Sequence, residues 1–403
     1  VAQHPDVVIV GGAAIGSSTA CHLAADPGFS GKVTVIEKDP TYRFSASALS
    51  AASIRQQFSS AVNIRISLHG IRFLRDIGEI LAVGDHRPGV DLHEGGYLYL
   101  ASEAGRAVLA ANHALQRAEG ADILFLEREE LVRRHPWLSP EGIACASFGQ
   151  TGEGWFDGWA LLQAFRAKAR SLGVEYVQGE AAGYETERGR IVAVCLGDGA
   201  RIPCGVAVNA AGSDGARLAA TAGVAIPVKS MTRHVFTFTC KAELPSFPML
   251  IDASGVYVRP EGKRGADGQM FICGASPPPE RDREWHDTDP SSQDVDWGFF
   301  EDVIWPTLAE RVPAFEAIRP GRAWSGPYDM NSLDGNAILG PAIGMPNLLL
   351  ANGFSGHGLQ QSPAVGRGLA EQIIHGRHLT LDLSDLGHER IVAGRAMTEA
   401  NII

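Results

Sequence analysis

The 403-residue sequence predicts an α/β fold, α+β in overall content, in which a helix-covered parallel sheet is interleaved along the chain with an antiparallel-sheet domain. Three observations predict it. Asp6-Val-Val-Ile-Val-Gly-Gly-Ala-Ala-Ile-Gly16, followed by Val33-Thr-Val-Ile-Glu37, reads as strand, tight turn, helix, second strand and acidic residue. Leu350-Ala-Asn-Gly-Phe-Ser-Gly-His-Gly358, running into Leu359-Gln-Gln-Ser-Pro-Ala-Val-Gly366, reads as buried strand, glycine loop and helix start. Between Val235 and Cys273, strand patterns dominate, as an antiparallel sheet requires.

The elements follow in order. Val7 to Val10 is a short apolar run ended by glycine, a buried parallel strand. Gly16 to Ala25 is a small-residue helix able to pack closely on the sheet, and Val33 to Ile36 is the second strand. A Ser- and Ala-rich loop runs from Asp39 to Ser50. From Ile54 the apolar residues Ile54, Phe58, Ile64, Leu68, Ile71, Leu74 and Ile77 recur at helical spacing, with Arg65, Arg72 and Arg75 off the stripe, which predicts one or two amphipathic helices. Tyr97-Leu-Tyr-Leu-Ala101 alternates as a strand. Helices are expected over Ala104 to Glu119, Arg128 to Arg134 and Asp157 to Leu172, then strands over Val174 to Val177 and Ile191 to Leu196. Val206-Ala-Val-Asn-Ala-Ala-Gly212 is a buried strand entering a tight turn. Strands at Val235 to Thr239, Val256 to Val258 and Met270 to Cys273 precede a surface excursion from Pro277 to Asp296 and a helix from Phe299 to Leu308. The expected division is 1–90, 152–226 and 334–403 for the parallel-sheet domain, and 91–151 and 227–333 for the antiparallel one.

Composition narrows the setting. An apolar fraction of 45% and a charged fraction of 20% are those of a globular protein. A formal net charge of -11 argues against nucleic acid or an anionic membrane as partner. Six scattered cysteines without a Cys-x-x-Cys suggest packing thiols and a reducing, cytoplasmic setting. No apolar run reaches the roughly 18 residues of a membrane span, so no transmembrane helix is expected; the sequence goes straight into the first strand, although it begins with Val and a trimmed start is compatible with that. No His/Cys/carboxylate cluster has metal-ligand spacing.

The chemistry lies in the turns. Gly11, Gly12, Ala13, Ala14, Ile15 and Gly16 form a Rossmann-like phosphate turn, Gly11-x-Ala13-x-x-Gly16, with alanine at the second glycine position. Such a turn seats a pyrophosphate on a helix N-terminus, while Glu37, with Lys38 after it, meets ribose hydroxyls. The second glycine loop adds backbone N–H donors from Gly353, Phe354, Ser355, Gly356, His357, Gly358, Leu359 and Gln360. A nicotinamide enzyme would not ordinarily need both ends of the chain, so FAD is the expected cofactor. Further flavin contacts are expected from Ser45, Ala46, Ser47 and Ser50, from Ala181, from Ala210, Ala211 and Gly212, and from Gly326.

With these motifs, and with Ile54-Arg55, Tyr257-Val-Arg-Pro260 and Gly326-Pro-Tyr328 followed by Leu333-Asp334, the chain resembles the FAD-dependent D-amino-acid oxidase superfamily over nearly its whole length. It is most similar to the branch holding sarcosine oxidase, dimethylglycine dehydrogenase and glycine oxidase. Arg55-Gln-Gln-Phe-Ser59, Glu153-Gly-Trp-Phe-Asp157, Gly356-His-Gly-Leu-Gln-Gln361 and Asn401-Ile-Ile403 resemble mitochondrial members implicated in assembling respiratory complex I.

The resemblance implies oxidation of the C–N bond of an amine, an amino acid or N-methylated amino acid, by hydride transfer to flavin N5. The electron acceptor would be O2, a quinone or an electron-transfer protein. It implies that Arg55 grips the substrate carboxylate, that Arg259 is a second carboxylate candidate, that Tyr257 and Tyr328 line the pocket, and that His357, a candidate catalytic base, is in the family pattern more often a residue that contacts flavin or orders its loop. Gly326 stands near the position where sarcosine oxidase attaches flavin through cysteine, and no histidine lies in Ser45 to Ser53, so FAD should be non-covalent. Ile272 and Gln360 replace the family's oxygen-activating and carboxylate-binding lysines, which counts against fast oxygen use and against sarcosine as substrate. The alternative is a flavin-holding assembly protein with little turnover.

Overall fold

The computed structural model describes residues 4–285 and 294–399. Part of the Pro277–Asp296 excursion and the terminal Asn401–Ile403 stretch therefore lie outside the described residues.

A six-stranded sheet runs in the order Ile338–Ala342, Met345–Asn352, Val206–Asn209, Val7–Val10, Val33–Glu37, Glu175–Gln178. Its pairings are parallel except for the edge hairpin of the first two strands. On one face the helices Ala14–Ala25, Gly158–Ser171 and Gly358–His375 bury residues such as Leu23, Phe165 and Val365. On the other, helix Gly215–Ala220 and the three-stranded sheet Ala181–Glu187, Arg190–Leu196, Arg201–Pro203 make a second apolar layer.

Small residues let the first and last helices nearly touch. A Cβ on Gly366 would stand 2.1 Å from Ser18 Oγ, and that hydroxyl donates to the Ser362 carbonyl at 2.7 Å. Pro363 lies inside the last helix and has no N–H for the Leu359 carbonyl. The Ser362 hydroxyl donates to that carbonyl instead, at 2.8 Å.

The second sheet has eight strands in the order Ile318–Asn331, Val228–Cys240, Gly268–Gly274, Tyr257–Gly265, Met249–Ile251, Tyr97–Ala101, Cys145–Gly149, Ile123–Glu127. All pairings are antiparallel except Met249–Ile251 with Tyr97–Ala101. Its core is aromatic: Phe238 stacks on Phe271, and Phe315 meets both edge-on.

Two expectations are corrected. Ile54 to Phe58 is not helical; the helix begins at Ala61 and ends at Arg75, after a short strand Ser53–Ile54 paired with Gly154–Trp155. The apolar residues there are buried, but the Arg55 and Gln56 amides are held by the side chains of Gln360 (2.9 Å) and Glu153 (2.5 Å), which fixes an extended chain. The helix expected over Phe299 to Leu308 widens to a π turn at Phe300–Ile304 ahead of Trp305–Arg311. Pro306 sits in that next turn and removes one N–H from the ladder, consistent with the local widening.

His135 ends the Arg128–Arg134 helix with its ring between Trp137 and Phe148, and among the described residues neither ring nitrogen has a hydrogen-bond partner. Burial, with Arg134 nearby, pushes its pKa down to about 4. The folded state thus refuses a proton that the unfolded chain accepts near pH 6.5, so stability is lost as pH falls from there toward 4. His135→Phe is expected to stabilise the protein by roughly 1–2 kcal/mol at pH 4.5 and to change little at pH 8. Urea unfolding at both pH values checks this.

Candidate active site

A cavity of about 860 Å³ runs from the C-terminal ends of the parallel strands to the inner face of the antiparallel sheet. Gly11 has φ +97°, and a Cβ there would stand 2.2 Å from the Ala210 carbonyl oxygen. Only glycine passes between the two strand ends at that point. Gly11, Ala13, Ile15, Glu37, Lys38, Ala181, Ala210, Ala211 and Gly212 line this end of the cavity. Gly12, Ala14 and Gly16 stand behind it. The Gly12 amide donates to Glu37 Oε2 (2.9 Å), the Ala14 amide to Ser47 Oγ (3.3 Å), and a Cβ on Gly16 would fall 1.8 Å from the Gly11 carbonyl oxygen.

Glu37 ends its strand with Oε1 accepting from the Asp39 amide at 2.9 Å. Each carboxylate oxygen keeps a lone pair for a ribose hydroxyl. Burial raises its pKa, opposed by the Asp39 and Gly12 amides. Lys38 pairs with Asp214 at 2.5 Å.

Along the middle, Ser45 caps a one-turn helix, Ala46–Leu49, by accepting from the Ala48 amide at 3.2 Å. Ser45, Ala46, Ser47, Ser50 and Gly326 line the cavity here. A Cβ on Gly326 would meet Leu49 Cβ at 2.9 Å, so the strand and the loop need glycine to lie this close.

The C-terminal loop closes the far end. Gly353 and Phe354 donate their amides to Asp329 Oδ2, at 2.9 and 3.2 Å. Gly353 is not among the lining residues, and those two N–H groups are already engaged by protein. The donors aimed at a ligand therefore come from the first turn of the Gly358–His375 helix, where Gly358, Leu359 and Gln360 line the cavity. Ser355 holds φ +49°, a left-handed conformation unusual for serine, while its hydroxyl accepts from the Asn331 amide at 3.0 Å. Gly356 has φ +83° and packs on the Tyr328 ring. Burial pushes Asp329 up to about 6.

Arg55 is 2% exposed and lines the same end. Its guanidinium donates to the Tyr99 hydroxyl and lies 2.9 Å from His357 Nε2, 4.6 Å above the Phe58 ring. Burial and then the Arg55 charge drive the His357 pKa well below its usual value, so the ring is neutral and its Nε2 accepts from Arg55. A nitrogen so engaged orients the arginine and is poorly placed to take a substrate proton. Tyr257 and Tyr328 both line the cavity, each with its phenol pKa raised by burial.

Arg259 is elsewhere. It donates to the Ala51 carbonyl at 2.6 and 3.1 Å, pairs with Glu261, and lines a second cavity behind the flavin loop together with Ile272. The expected second carboxylate grip is thus spent on pinning the Ser45–Ala52 loop. Several cavity residues were not singled out by the sequence pattern: Tyr97, Arg233, His234, Met249, Trp285 and Asp329. The Tyr97-Leu-Tyr-Leu alternation did place Tyr97 and Tyr99 on one face, facing Arg55.

A Rossmann-like turn, an acidic strand end and a second helix N-terminus on one long cavity are the features of a dinucleotide-binding protein. The match of residues 6–372 to the family model described as DAO, FAD dependent oxidoreductase, fixes the family, and the chain belongs to it. It is 38% identical over 435 residues to FAD-dependent oxidoreductase domain-containing protein 1 of Xenopus laevis, covering 100% of this chain and 85% of that protein. It is 25% identical to sarcosine oxidase subunit beta of Rhizobium meliloti, covering 93% and 85%. The crystal structure of L-proline dehydrogenase from P. horikoshii superposes with a TM-score of 0.82 at 24% identity, covering 98% and 100%, and shows the same fold.

Glu37→Gln removes the charge expected to meet the ribose and leaves the Gly12 N–H donating to a weaker acceptor. Charged hydrogen bonds contribute about 1.5–3 kcal/mol, so FAD affinity should fall about tenfold or more. Titration of the FAD-free chain by flavin fluorescence quenching measures it; an unchanged dissociation constant would make Glu37 a turn-holding residue only.

Proposed function

We propose that this protein oxidises the C–N bond of an amine that carries a carboxylate, an amino acid or N-methylated amino acid, using non-covalently held FAD. The observation that carries this reading is the Arg55 guanidinium, a fixed positive charge buried in the cavity wall among Tyr97, Tyr99, Tyr257 and Tyr328. A cation in so poorly hydrated a place favours an anionic ligand, and a guanidinium matches a planar carboxylate. FAD bound here would supply the hydride acceptor.

The chain's own residues supply the rest. Arg55 orients the carboxylate, with His357 and Tyr99 fixing the guanidinium plane. The tyrosine rings exclude water and hold the carbon that loses hydride against the flavin seat. The helix N-terminus at Gly358 to Gln360 puts positive potential on the cavity and would stabilise negative charge on a flavin held there. Among the described residues, none of the six cysteines lines the cavity, which supports a non-covalent cofactor.

Two measurements test the reading. Acid or heat denaturation should release all flavin into the supernatant; flavin left on the precipitated polypeptide would rule out non-covalent binding. In anaerobic stopped-flow reduction with an amine that bleaches the wild type, Arg55→Ala should lose about two to nearly four decades of efficiency. This corresponds to the roughly 3–5 kcal/mol for breaking one member of a buried charged pair. Arg55→Lys should recover only part of it, and flavin binding should hardly change. Equal rates in Arg55→Ala would overturn the carboxylate assignment. Failure of a broad amine panel to bleach even the wild type would leave the flavin-holding assembly role in its place.

A further inference from the structure

Arg55 to Ser59 and Glu153 to Asp157, two of the stretches that carry the family resemblance, are joined in one buried network. Ser53–Ile54 pairs with Gly154–Trp155, which lays Glu153 against the chain just after Arg55. Glu153 is 0% exposed. Its Oε1 accepts from the Gln56 amide at 2.5 Å and its Oε2 from Gln57 Nε2 at 2.7 Å. Gln57 in turn donates to the Tyr97 carbonyl at 2.9 Å and accepts from Ser147 Oγ at 2.5 Å. Gln56 donates to the Gly152 carbonyl at 2.6 Å. The donors on the carboxylate are thus amides, and the nearest full positive charge is Arg55, one residue along the chain.

We propose that Glu153 is a positioning residue of the anion site, fixing the Arg55 segment through Gln56 and taking up a proton when a carboxylate binds against Arg55. The inference rests on Arg55 being the carboxylate anchor. Without a ligand, the Arg55 charge helps the buried carboxylate ionise. A carboxylate arriving at Arg55 cancels that help, and a second negative charge in the same low-dielectric network becomes costly, so Glu153 draws a proton from solvent. No bond other than the O–H of Glu153 is made.

Other charged and titratable groups surround the network. Burial holds Glu153 at about 7, with Gln57, Gln56 and Arg55 opposing it. Tyr99 on the neighbouring strand is kept a neutral phenol by burial, and the His357 ring is kept neutral. Glu399 is bound by Ser59, Ser60 and Asn63 on the far side. Glu94 pairs with Arg75, which lowers its pKa. Asp329, in the cavity wall, stands at about 6, so its window overlaps that of Glu153. The sign follows: Glu153 is protonated below pH 7 and ionised above, so anion binding weakens as pH rises through 7.

Benzoate serves as probe, because it has no amine to titrate and cannot be oxidised at a C–N bond. Its binding to the FAD-loaded protein is followed by perturbation of the flavin spectrum from pH 6 to 8.5. Calorimetry at pH 7 in two buffers of different ionisation enthalpy measures proton uptake. The expected result is affinity about tenfold weaker at pH 8.5 than at pH 6, with proton uptake on binding, and a flat profile without uptake in Glu153→Gln. Uptake that persists in Glu153→Gln, or a flat wild-type profile, overturns the proposal. If Glu153→Gln does not fold, Asp329→Asn decides: uptake retained supports Glu153, uptake lost assigns the proton to Asp329. Arg55→Ala separates the two readings. Benzoate binding unchanged in that variant defeats the Arg55 assignment itself, whereas binding lost there, with a pH-independent wild type, defeats only the role of Glu153.

Discussion

The contact on which the site depends is the crossing of the first and last helices. Ser18 and Ser362 are hydrogen-bonded at 2.7 Å although 344 residues apart, and Gly366 leaves just enough room for Ser18. This crossing brings two helix N-termini to one cavity, one behind the Gly11–Gly16 turn and one behind the Gly353–Gly356 loop. Each offers N–H groups without intrahelical acceptors, so the backbone itself makes two patches of positive potential on one cavity. Small residues along both helices, rather than a large apolar stripe, make the close approach possible.

Much of this was legible because the signals were local. Gly11, Glu37 and the Val206–Asn209 strand each declare themselves by a short apolar run ended by glycine or acid, and the structure puts all three at one strand edge. The fourteen-residue strand Ile318–Asn331 was hidden for an equally local reason. Pro320, Gly321, Gly326 and Pro327 interrupt its pattern, and the strand tolerates them because it lies at the sheet edge. Arg55 to Phe58 shows the limit of periodicity. Apolar spacing there is real and the residues are buried, but whether the chain coils or extends is decided by Gln360 and Glu153, 305 and 97 residues away.

The same limit applies to the arginines. Arg55 and Arg259 look alike in sequence, each next to strand-forming apolar residues. Only the fold separates them: one meets a cavity edged by tyrosines, the other spends its fork on the Ala51 carbonyl and Glu261. Asp329 had no sequence signature either, since its task is to gather the Gly353 and Phe354 amides of a loop that lies next to it only in space.

These assignments give the far end of the cavity a particular electrostatic character. Arg55 is a permanent cation, His357 is held neutral against it, and Glu153 and Asp329 are carboxylates lifted by burial toward neutrality. On the proposal above, the Glu153 charge responds to what enters, whereas the guanidinium does not. A site built this way would hold an anionic group at Arg55 while Glu153 adjusts by a proton rather than by moving. That suits a cavity whose walls are otherwise fixed by the Ser53–Ile54 and Gly154–Trp155 pairing and by the strained Ser355 turn. Rigid walls with adjustable protonation would separate the two demands of the site: geometry is set by the backbone, and charge balance by the buried Glu153.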